Sequence, residues 1–290
     1  MKVKYYIKEM RVHHYLKNLL VLIPLACSGQ FFNPEKLIPS IYAFLSFSFL
    51  SSAVYFINDI RDIEKDRNHP TKCSRPIAAG QISVKSAIVF TVILVAAAAA
   101  FNMLCFNIYS SLLLLIYFAI NLGYSFGFKN IPLLDISILV AGFLIRVLYG
   151  SVVTGIQISN WLYLVIISVA FYLGLGKRRN ELVKQNGNET RKVIKKYPFS
   201  FLDSNMYVYL ALIFVFYSLW TVDEKTIAVY HSNNLIWTVP VVMLIFLKYS
   251  LTIEGNSDGD PVEVLVHDKV LLGLSTLYLI MMFILLYVLK

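Results

Sequence analysis

Long uncharged runs, separated by short charged or polar segments, dominate the hydrophobic pattern of this sequence. A helix needs about 20 mostly apolar residues to cross the ~30 Å hydrocarbon core of a bilayer. We therefore predict an all-α integral membrane protein, a single bundle of about nine transmembrane helices. The predicted spans are residues 16–31, 37–57, 84–101, 108–124, 133–153, 161–176, 204–222, 235–251 and 269–289.

The composition and the distribution of charge also indicate a membrane protein. Hydrophobic residues make up 58% of the chain, the mean hydropathy is +0.67, and charged residues make up 15%, against about 25% in soluble domains. Nearly all Lys and Arg residues fall on alternate connecting segments, which face the cytoplasm in multi-pass proteins. We predict a bacterial-type inner (plasma) membrane protein whose N-terminus is cytoplasmic and whose C-terminus is outside.

The net charge of +9 arises mainly from these membrane-flanking segments. It does not indicate a nucleic-acid partner, because no other basic face with interleaved aromatic residues is present. No polar stretch is long enough to bury a core of its own. The sequence therefore predicts a single transmembrane domain over residues 1–290 and leaves open whether it forms a homo-oligomer.

The most acidic segment, Asn58 to Asp66, directly follows the second predicted span. On one helix, Asp59, Asp62 and Asp66 lie within roughly 60° of one another. Such carboxylates repel one another unless a cation binds them, and Mg²⁺ takes one or two carboxylates, waters and substrate phosphate oxygens. We predict that these three aspartates bind Mg²⁺ and a diphosphate, and that Asn58 shares in catalysis. A solvated helix end with mixed charges is the alternative.

Basic and polar residues of the predicted cytoplasmic segments are candidates for binding phosphate. Arg75 can bind phosphate through two parallel hydrogen bonds and Lys72 as a point charge. Arg146 lies about 16 Å along a helix from Asp135. An arginine at that depth normally lines a polar cavity, or it is a buried structural residue. The predicted substrate-binding residues are Lys17, Asn18, Lys72, Arg75, Tyr124, Lys129, Asp135, Arg146, Lys177, Arg178 and Glu181.

Several of these segments also have a simpler explanation. Lys17 can extend its ammonium group to lipid phosphates, and the basic segment 177–196 can bind anionic lipid. Residues 257–268 form an acidic segment whose glycine and proline are typical of a turn.

The spacing Asn58-Asp59-x-x-Asp62-x-x-x-Asp66 resembles the first signature of the UbiA superfamily of membrane prenyltransferases. The resemblance implies a bundle of nine helices with a Mg²⁺-dependent active cavity on the cytoplasmic side. Members that act on aromatic substrates carry a second aspartate-rich motif after the sixth span. Here the sequence instead reads Lys177-Arg178-Arg179-Asn180-Glu181, which argues against a quinone or haem prenyltransferase.

Further strings resemble the decaprenyl-phosphate phosphoribosyltransferase family. They are Tyr15-Leu16-Lys17-Asn18, His69-Pro70-Thr71-Lys72, Arg75-Pro76-Ile77-Ala78-Ala79-Gly80, Gly176-Lys177-Arg178 with Glu181, and Asp260-Pro261 with Asp268. The resemblance implies transfer of 5-phosphoribosyl from phosphoribosyl diphosphate to a polyprenyl phosphate, with release of diphosphate, for cell-envelope polysaccharide synthesis. The implied partners are these two substrates and the membrane, and the implied cofactor is Mg²⁺.

Two other functions are compatible with the residues. A UbiA-type transfer of a prenyl group from prenyl diphosphate to an aromatic or other acceptor would use the same acidic segment. A non-catalytic carrier of lipids or small anions would need ionisable groups near the midplane and pathways to both faces. Only Arg146 lies that deep, which disfavours the carrier.

Overall fold

The chain is almost entirely helical. The computed structural model describes residues 2–105, 107–183, 193–254 and 261–289. Of the described residues, 84% are helical, and none of them lies in a strand. The α-helices are α1 (Lys2–Met10), α2 (Ile23–Ala26), α3 (Pro34–Arg61), α4 (Ile63–Arg67), α5 (Val84–Met103), α6 (Ile108–Phe126), α7 (Leu134–Thr154), α8 (Asn160–Val183), α9 (Phe199–Val222), α10 (Glu224–Tyr230), α11 (Val239–Glu254), α12 (Pro261–His267) and α13 (Lys269–Phe283). The 3-10 helices are Val12–Leu22, Lys72–Ser74, Phe128–Asn130, Ile194–Lys196 and Asn234–Thr238, and Ile284–Val288 is a π-helix.

Eight helices within the described ranges are long and apolar enough to cross a membrane. They are Pro34–Arg61, Val84–Met103, Ile108–Phe126, Leu134–Thr154, Asn160–Val183, Phe199–Val222, Asn234–Glu254 and Lys269–Val288. Each corresponds to one of the predicted spans. The chain is therefore a multi-pass, all-α membrane protein, as predicted, while its orientation stays a prediction.

The first predicted span, residues 16–31, has a different structure from the others. It forms a 3-10 helix of 11 residues, Val12–Leu22, followed by the 4 residues of α2. A 3-10 helix rises about 2.0 Å per residue and an α-helix about 1.5 Å, so the two together extend over roughly 28 Å. These 15 residues are too few to cross a membrane as an α-helix, but the longer rise of the 3-10 helix brings their length close to that of a span.

The chain divides into two compact units. The first comprises Met1–Leu25, Phe31–Lys129 and Ile145–Ile156, and the second comprises Ala26–Gln30, Asn130–Leu144 and Gln157–Lys290. Helix α7 contributes its N-terminal part to the second unit and its C-terminal part to the first. The assignment of one domain to residues 1–290 stays a prediction.

Helix α3 is the centre of the first unit. Phe47 is fully buried, and its ring lies 4.5 Å from the ring of Tyr117 and 5.8 Å from that of Tyr149. Small residues on another face of α3 let α5 approach closely, because they bring little bulk between helix backbones. Ser46 donates a hydrogen bond of 2.8 Å to the carbonyl of Ala98 in α5. This packing holds the C-terminal end of α3, which carries the acidic segment.

Helix α7 passes very close to the 3-10 helix Val12–Leu22 at Gly150. A Cβ on Gly150 would lie 1.9 Å from the carbonyl oxygen of Val21. We expect Gly150→Ala to lower the free energy of unfolding by about 1–3 kcal/mol because the backbones must separate. Thermal unfolding of the purified protein measures this effect.

Gly273 of α13 provides the matched control for Gly150. A Cβ at Gly273 meets nothing within 4 Å. Gly273→Ala should leave the melting temperature unchanged or raise it slightly, because alanine favours a helix more than glycine does. Equal effects of the two substitutions would contradict the close approach at Gly150.

The core of the second unit lies where α8 packs against α9 and α11. Tyr172 of α8 is fully buried, and its hydroxyl shares a hydrogen bond with that of Ser250. At the start of α13, Asp268 accepts hydrogen bonds from the backbone of Leu271 and from Thr252, and it pairs with Lys248 at 2.8 Å. These bonds, led by the one from Lys248, lower the pKa of Asp268. Asp268 is thus a helix cap, while residues 255–260 of the acidic segment lie outside the described residues.

Candidate active site

The acidic segment is not one continuous helix. Helix α3 ends at Arg61, Asp62 leaves the helical conformation with φ −93° and ψ 14°, and α4 begins at Ile63. Asp59 and Asp66 are buried, whereas the Asp62 side chain is 24% exposed. The helix is therefore interrupted at Asp62, whose carboxylate pairs with Lys129, whereas Asp59 and Asp66 share Arg75.

Arg75 joins the two buried aspartates. One of its terminal nitrogens, Nη1, lies 3.0 Å from Asp59 Oδ1 and 2.6 Å from Asp66 Oδ2. The loop that carries Arg75 is fixed to α4, because Arg67 donates a hydrogen bond to the carbonyl of Ala78. The structure thus brings together the predicted residues Asp59, Asp66 and Arg75.

A second arginine, Arg11, binds Asp59 from the other side. Helix α1 ends just before Arg11, whose φ of 53° directs the chain into the following 3-10 helix. Arg11 Nη2 lies 2.7 Å from Asp59 Oδ1 and 2.5 Å from Asp59 Oδ2, and the guanidinium lies 4.8 Å from the centre of the Tyr55 ring. Sequence analysis did not select Arg11 as a site residue, because its partner lies 48 positions away.

The end of α6 contributes the next group of site residues. Lys129 pairs with Asp62 at 2.8 Å, and Ser125 donates a hydrogen bond to the side-chain oxygen of Asn58. Tyr124 is half-buried in the last turn of α6, next to Ser125. Lys129 and Ser125 therefore contact the acidic segment directly, through Asp62 and Asn58.

Glu9 of α1 is a buried acid that sequence analysis also missed. The residue is 1% exposed and its carboxyl lies beside that of Asp59. Burial, with a further contribution from Asp59, raises the pKa of Glu9 to about 8. One signal was present in the sequence, because Glu9 is the first acid of the chain and stands among Lys4, Lys8 and Arg11.

Arg146 is buried in the first unit next to the predicted residue Asn18. Its Nε donates a hydrogen bond of 2.8 Å to the side-chain oxygen of Asn18, and its guanidinium lies 4.8 Å from the Phe47 ring and 5.2 Å from the Tyr117 ring. Asn18 donates in turn to the hydroxyl of Ser48. These contacts favour the structural alternative for Arg146, and Lys17 is half-buried beside Asn18.

Arg178 is the centre of a polar cluster in the second unit. It is fully buried, its Nε lies 2.6 Å from Asp135, and its Nη1 lies 2.7 Å from Glu181. Tyr197 donates a hydrogen bond of 2.6 Å to Asp135 and accepts one from the backbone of Leu133. Burial, followed by the bond to Asp135, raises the pKa of Tyr197 to about 12, so its hydroxyl stays a donor.

The remaining predicted residues occupy less defined positions. Lys72 lies in a one-turn 3-10 helix before Arg75, and Lys177 is half-buried beside Arg178. Both make further polar contacts. Residues 184–192 of the basic segment lie outside the described residues.

The acidic residues of the first unit fit a divalent cation. Across the described ranges, no three His, Cys, Asp or Glu side chains converge as metal ligands. Arg75 lies between Asp59 and Asp66. Arg75 Nη1 nevertheless marks a point within hydrogen-bonding distance of both Asp59 and Asp66, and the two oxygens of Glu9 accept no hydrogen bond from any described donor. Oxygen ligands of this kind are those that Mg²⁺ prefers.

Comparison with known families identifies the fold. Residues 20–259 match the UbiA prenyltransferase family. The chain belongs to this family. The match includes parts of both compact units and the acidic segment with Arg75, whereas Glu9 and Arg11 lie before it.

Relatives and solved structures agree with membership of the UbiA family. The chain is 34% identical to decaprenyl-phosphate phosphoribosyltransferase of Corynebacterium glutamicum, over 95% of this chain and 85% of the relative. It is 33% identical to the protein of the same name in Mycobacterium tuberculosis H37Rv, over 91% of this chain and 88% of the relative. A solved UbiA homolog from Archaeoglobus fulgidus, bound to GPP and Mg²⁺, superposes with a TM-score of 0.70 over 97% of this chain and 99% of that chain, at 19% identity. The predicted family and fold are thereby confirmed, and this UbiA-family protein is a membrane-embedded transferase.

Proposed function

We propose that this UbiA-family enzyme transfers a 5-phosphoribosyl group from phosphoribosyl diphosphate to a polyprenyl phosphate and releases diphosphate. The similarity to two decaprenyl-phosphate phosphoribosyltransferases over nearly the whole chain supports this reaction. The product would be a lipid-linked pentose phosphate for cell-envelope polysaccharide synthesis. We further propose that the active site faces the cytoplasm, because most Lys and Arg residues fall on the connecting segments of that side.

One observation carries the proposal, namely that Asp59 and Asp66 share Arg75 while Arg11 binds Asp59. Two buried carboxylates suit a divalent cation, and two arginines suit the diphosphate that the cation leaves partly charged. Each group already has a partner of opposite charge when no substrate is bound. Binding of a cation–diphosphate pair would exchange these partners, so no charge would be left unpaired.

The reaction needs stabilisation of the departing group more than it needs a base. Cleavage of the C1–O bond of the donor builds oxocarbenium-like charge on the ribose, as in glycoside chemistry, and negative charge on the diphosphate. A phosphate oxygen of the lipid then forms the new bond to C1. That oxygen is already ionised, so no proton has to be removed from it.

Arg11, Arg75 and Lys129 would hold the departing diphosphate. They lie on the two sides of the acidic segment, and Lys129 reaches it through Asp62. Mg²⁺ bound by Asp59 and Asp66 would supply further stabilisation of the developing charge. Donors placed in advance where charge develops are typically worth about 10²–10³-fold in rate each.

The histidine nearest to the acidic segment along the chain has a structural role. His69 Nδ1 accepts hydrogen bonds from the backbone nitrogens of Thr71 and Lys72, at 3.2 and 3.3 Å. It thereby shapes the loop that leads to Arg75. This agrees with a transfer that needs no general base.

A direct assay tests the proposed reaction. Proteoliposomes containing the protein, Mg²⁺, radiolabelled phosphoribosyl diphosphate and decaprenyl phosphate should form a labelled lipid and release one diphosphate per transfer. Phosphoribosyl diphosphate should also protect the protein against thermal unfolding more than geranyl diphosphate does. Preferential protection by geranyl diphosphate, with a prenylated aromatic product, would contradict the proposal and support prenyl transfer.

A further inference from the structure

Glu9 is a buried acid for which the proposed reaction has no role so far. It lies in α1, ahead of the family match that begins at residue 20. The residue is 1% exposed, and neither carboxylate oxygen accepts a hydrogen bond from any described group. Its nearest ionisable neighbours are Asp59, Arg11 and Arg75.

The surroundings of Glu9 disfavour its ionised form. A buried carboxylate without hydrogen bonds is costly, and a second carboxylate beside it raises the cost further. Arg11 and Arg75 attract Glu9, but both already bind Asp59 through direct hydrogen bonds. A cation between Glu9 and Asp59 would remove the repulsion and give the Glu9 oxygens a partner.

Helix α1 is held firmly, so the position of Glu9 is set by packing. The ring of Tyr6 lies 4.8 Å from that of Phe90, and Ser52 donates a hydrogen bond to the carbonyl of Met10. Lys8 donates to the carbonyl of Ser74, next to Arg75. The residues on both sides of Glu9 are therefore fixed to α3 and to the loop that carries Arg75.

We propose that Glu9 is a ligand of the divalent cation that binds at Asp59. The cation site then extends from α3 to α1 and contains three buried carboxylates, Glu9, Asp59 and Asp66. When they bind the cation, Arg11 and Arg75 are released from Asp59 and become available to an anion. The inference deepens the proposed function, because this is the cation that would assist departure of diphosphate.

Binding of Mn²⁺, a paramagnetic substitute for Mg²⁺, tests the proposal without turnover. The unbound Mn²⁺ signal in electron paramagnetic resonance should give the dissociation constant for the full-length protein in detergent, with and without phosphoribosyl diphosphate. Loss of a residue that only orients metal ligands costs about 10–100-fold in affinity. We therefore expect Glu9→Gln to weaken Mn²⁺ binding at least about tenfold. Glu9→Asp, which keeps the charge but shortens the reach, should weaken it less.

Glu64→Gln is the matched control, because Glu64 is an exposed acid on α4 and the substitution makes the same chemical change. It should leave Mn²⁺ binding unchanged.

Thermal unfolding distinguishes a loss of metal binding from a loss of packing. Without metal, Glu9→Gln should not lower the melting temperature, since the new amide can donate a hydrogen bond to Asp59. With Mn²⁺, the variant should gain less stability than the wild type.

The outcomes distinguish this inference from the proposed function. The role of Glu9 would be overturned if both Glu9 variants bound Mn²⁺ with wild-type affinity, or if Glu9→Gln lowered the melting temperature equally with and without Mn²⁺. Either result would leave the proposed reaction standing. Mn²⁺ binding that depends on Glu9, in a protein that makes no phosphoribosyl lipid, would uphold the inference and overturn the proposed reaction. Failure of the wild-type protein to bind Mn²⁺ under either condition would overturn the metal role of Glu9.

Discussion

Phosphoribosyl transfer should fall by about 10³-fold or more when Asp59 is replaced by asparagine. Asp59 binds Arg11 and Arg75 and faces Glu9, so one carboxylate positions both arginines and is the shared ligand of the proposed cation. Asparagine keeps the shape but removes the charge that both functions need. The measurement is kcat/KM for labelled lipid formation at saturating polyprenyl phosphate.

The control for Asp59→Asn removes a charge from the same segment at a residue that does not contact the site. Glu64→Gln meets this requirement and should retain wild-type kcat/KM, because Glu64 is exposed. Asp62→Ala should also abolish transfer, because Asp62 belongs to the predicted Mg²⁺-binding set and positions Lys129. An Asp59→Asn enzyme within tenfold of wild-type activity would be incompatible with the proposed mechanism.

Arg178→Met should destabilise the protein by about 3–5 kcal/mol, the usual cost of breaking a buried ion pair from one side. The substitution leaves Asp135, which is fully buried, with Tyr197 as a donor but without the charge that balances it. Glu181 loses the ion pair with Arg178 too, although it is only half-buried. Thermal unfolding in detergent should show a large fall in melting temperature.

A double-mutant cycle shows whether the Arg178 effect belongs to the ion pair. Asp135→Asn combined with Arg178→Met should be more stable than Arg178→Met alone, because no buried charge is then left unpaired. Arg179→Met should cost less than Arg178→Met, because the partners Asp203 and Glu254 are 28% and 43% exposed and water can solvate them when Arg179 is removed. Equal destabilisation by the two single arginine variants would contradict a dominant role for the buried pair.

The membrane spans could be predicted from the sequence because each depends on local composition. A run of apolar residues must lie in the bilayer whatever the rest of the chain does, and eight predicted spans correspond to eight candidate helices in the described ranges. The segment 16–31 was harder to predict, because hydropathy shows that it is apolar but not that it adopts the longer rise of a 3-10 helix.

The sequence predicted the residues of the acidic segment but not the break in its helix. Its spacing identified Asp59 and Asp66, which are 20° apart on a helix at 100° per residue, and these two share Arg75. The same spacing predicted Asp62 as a third metal-binding aspartate, and the structure places it between α3 and α4, where it pairs with Lys129, so its role in binding Mg²⁺ stays a prediction. The pairs of Asn18 with Arg146 and of Asp135 with Arg178 join predicted residues that the sequence had not paired with each other.

The sequence by itself determined a multi-pass helical membrane protein, its UbiA signature and the acidic segment, because these depend on composition and on residues within one or two helical turns. Only the tertiary structure decided that Arg11 and Glu9 meet Asp59, and that Arg146 and Arg178 are buried in polar pairs. Such contacts join residues far apart in the chain. They arise from the packing of helices, for which a single sequence carries no local signal.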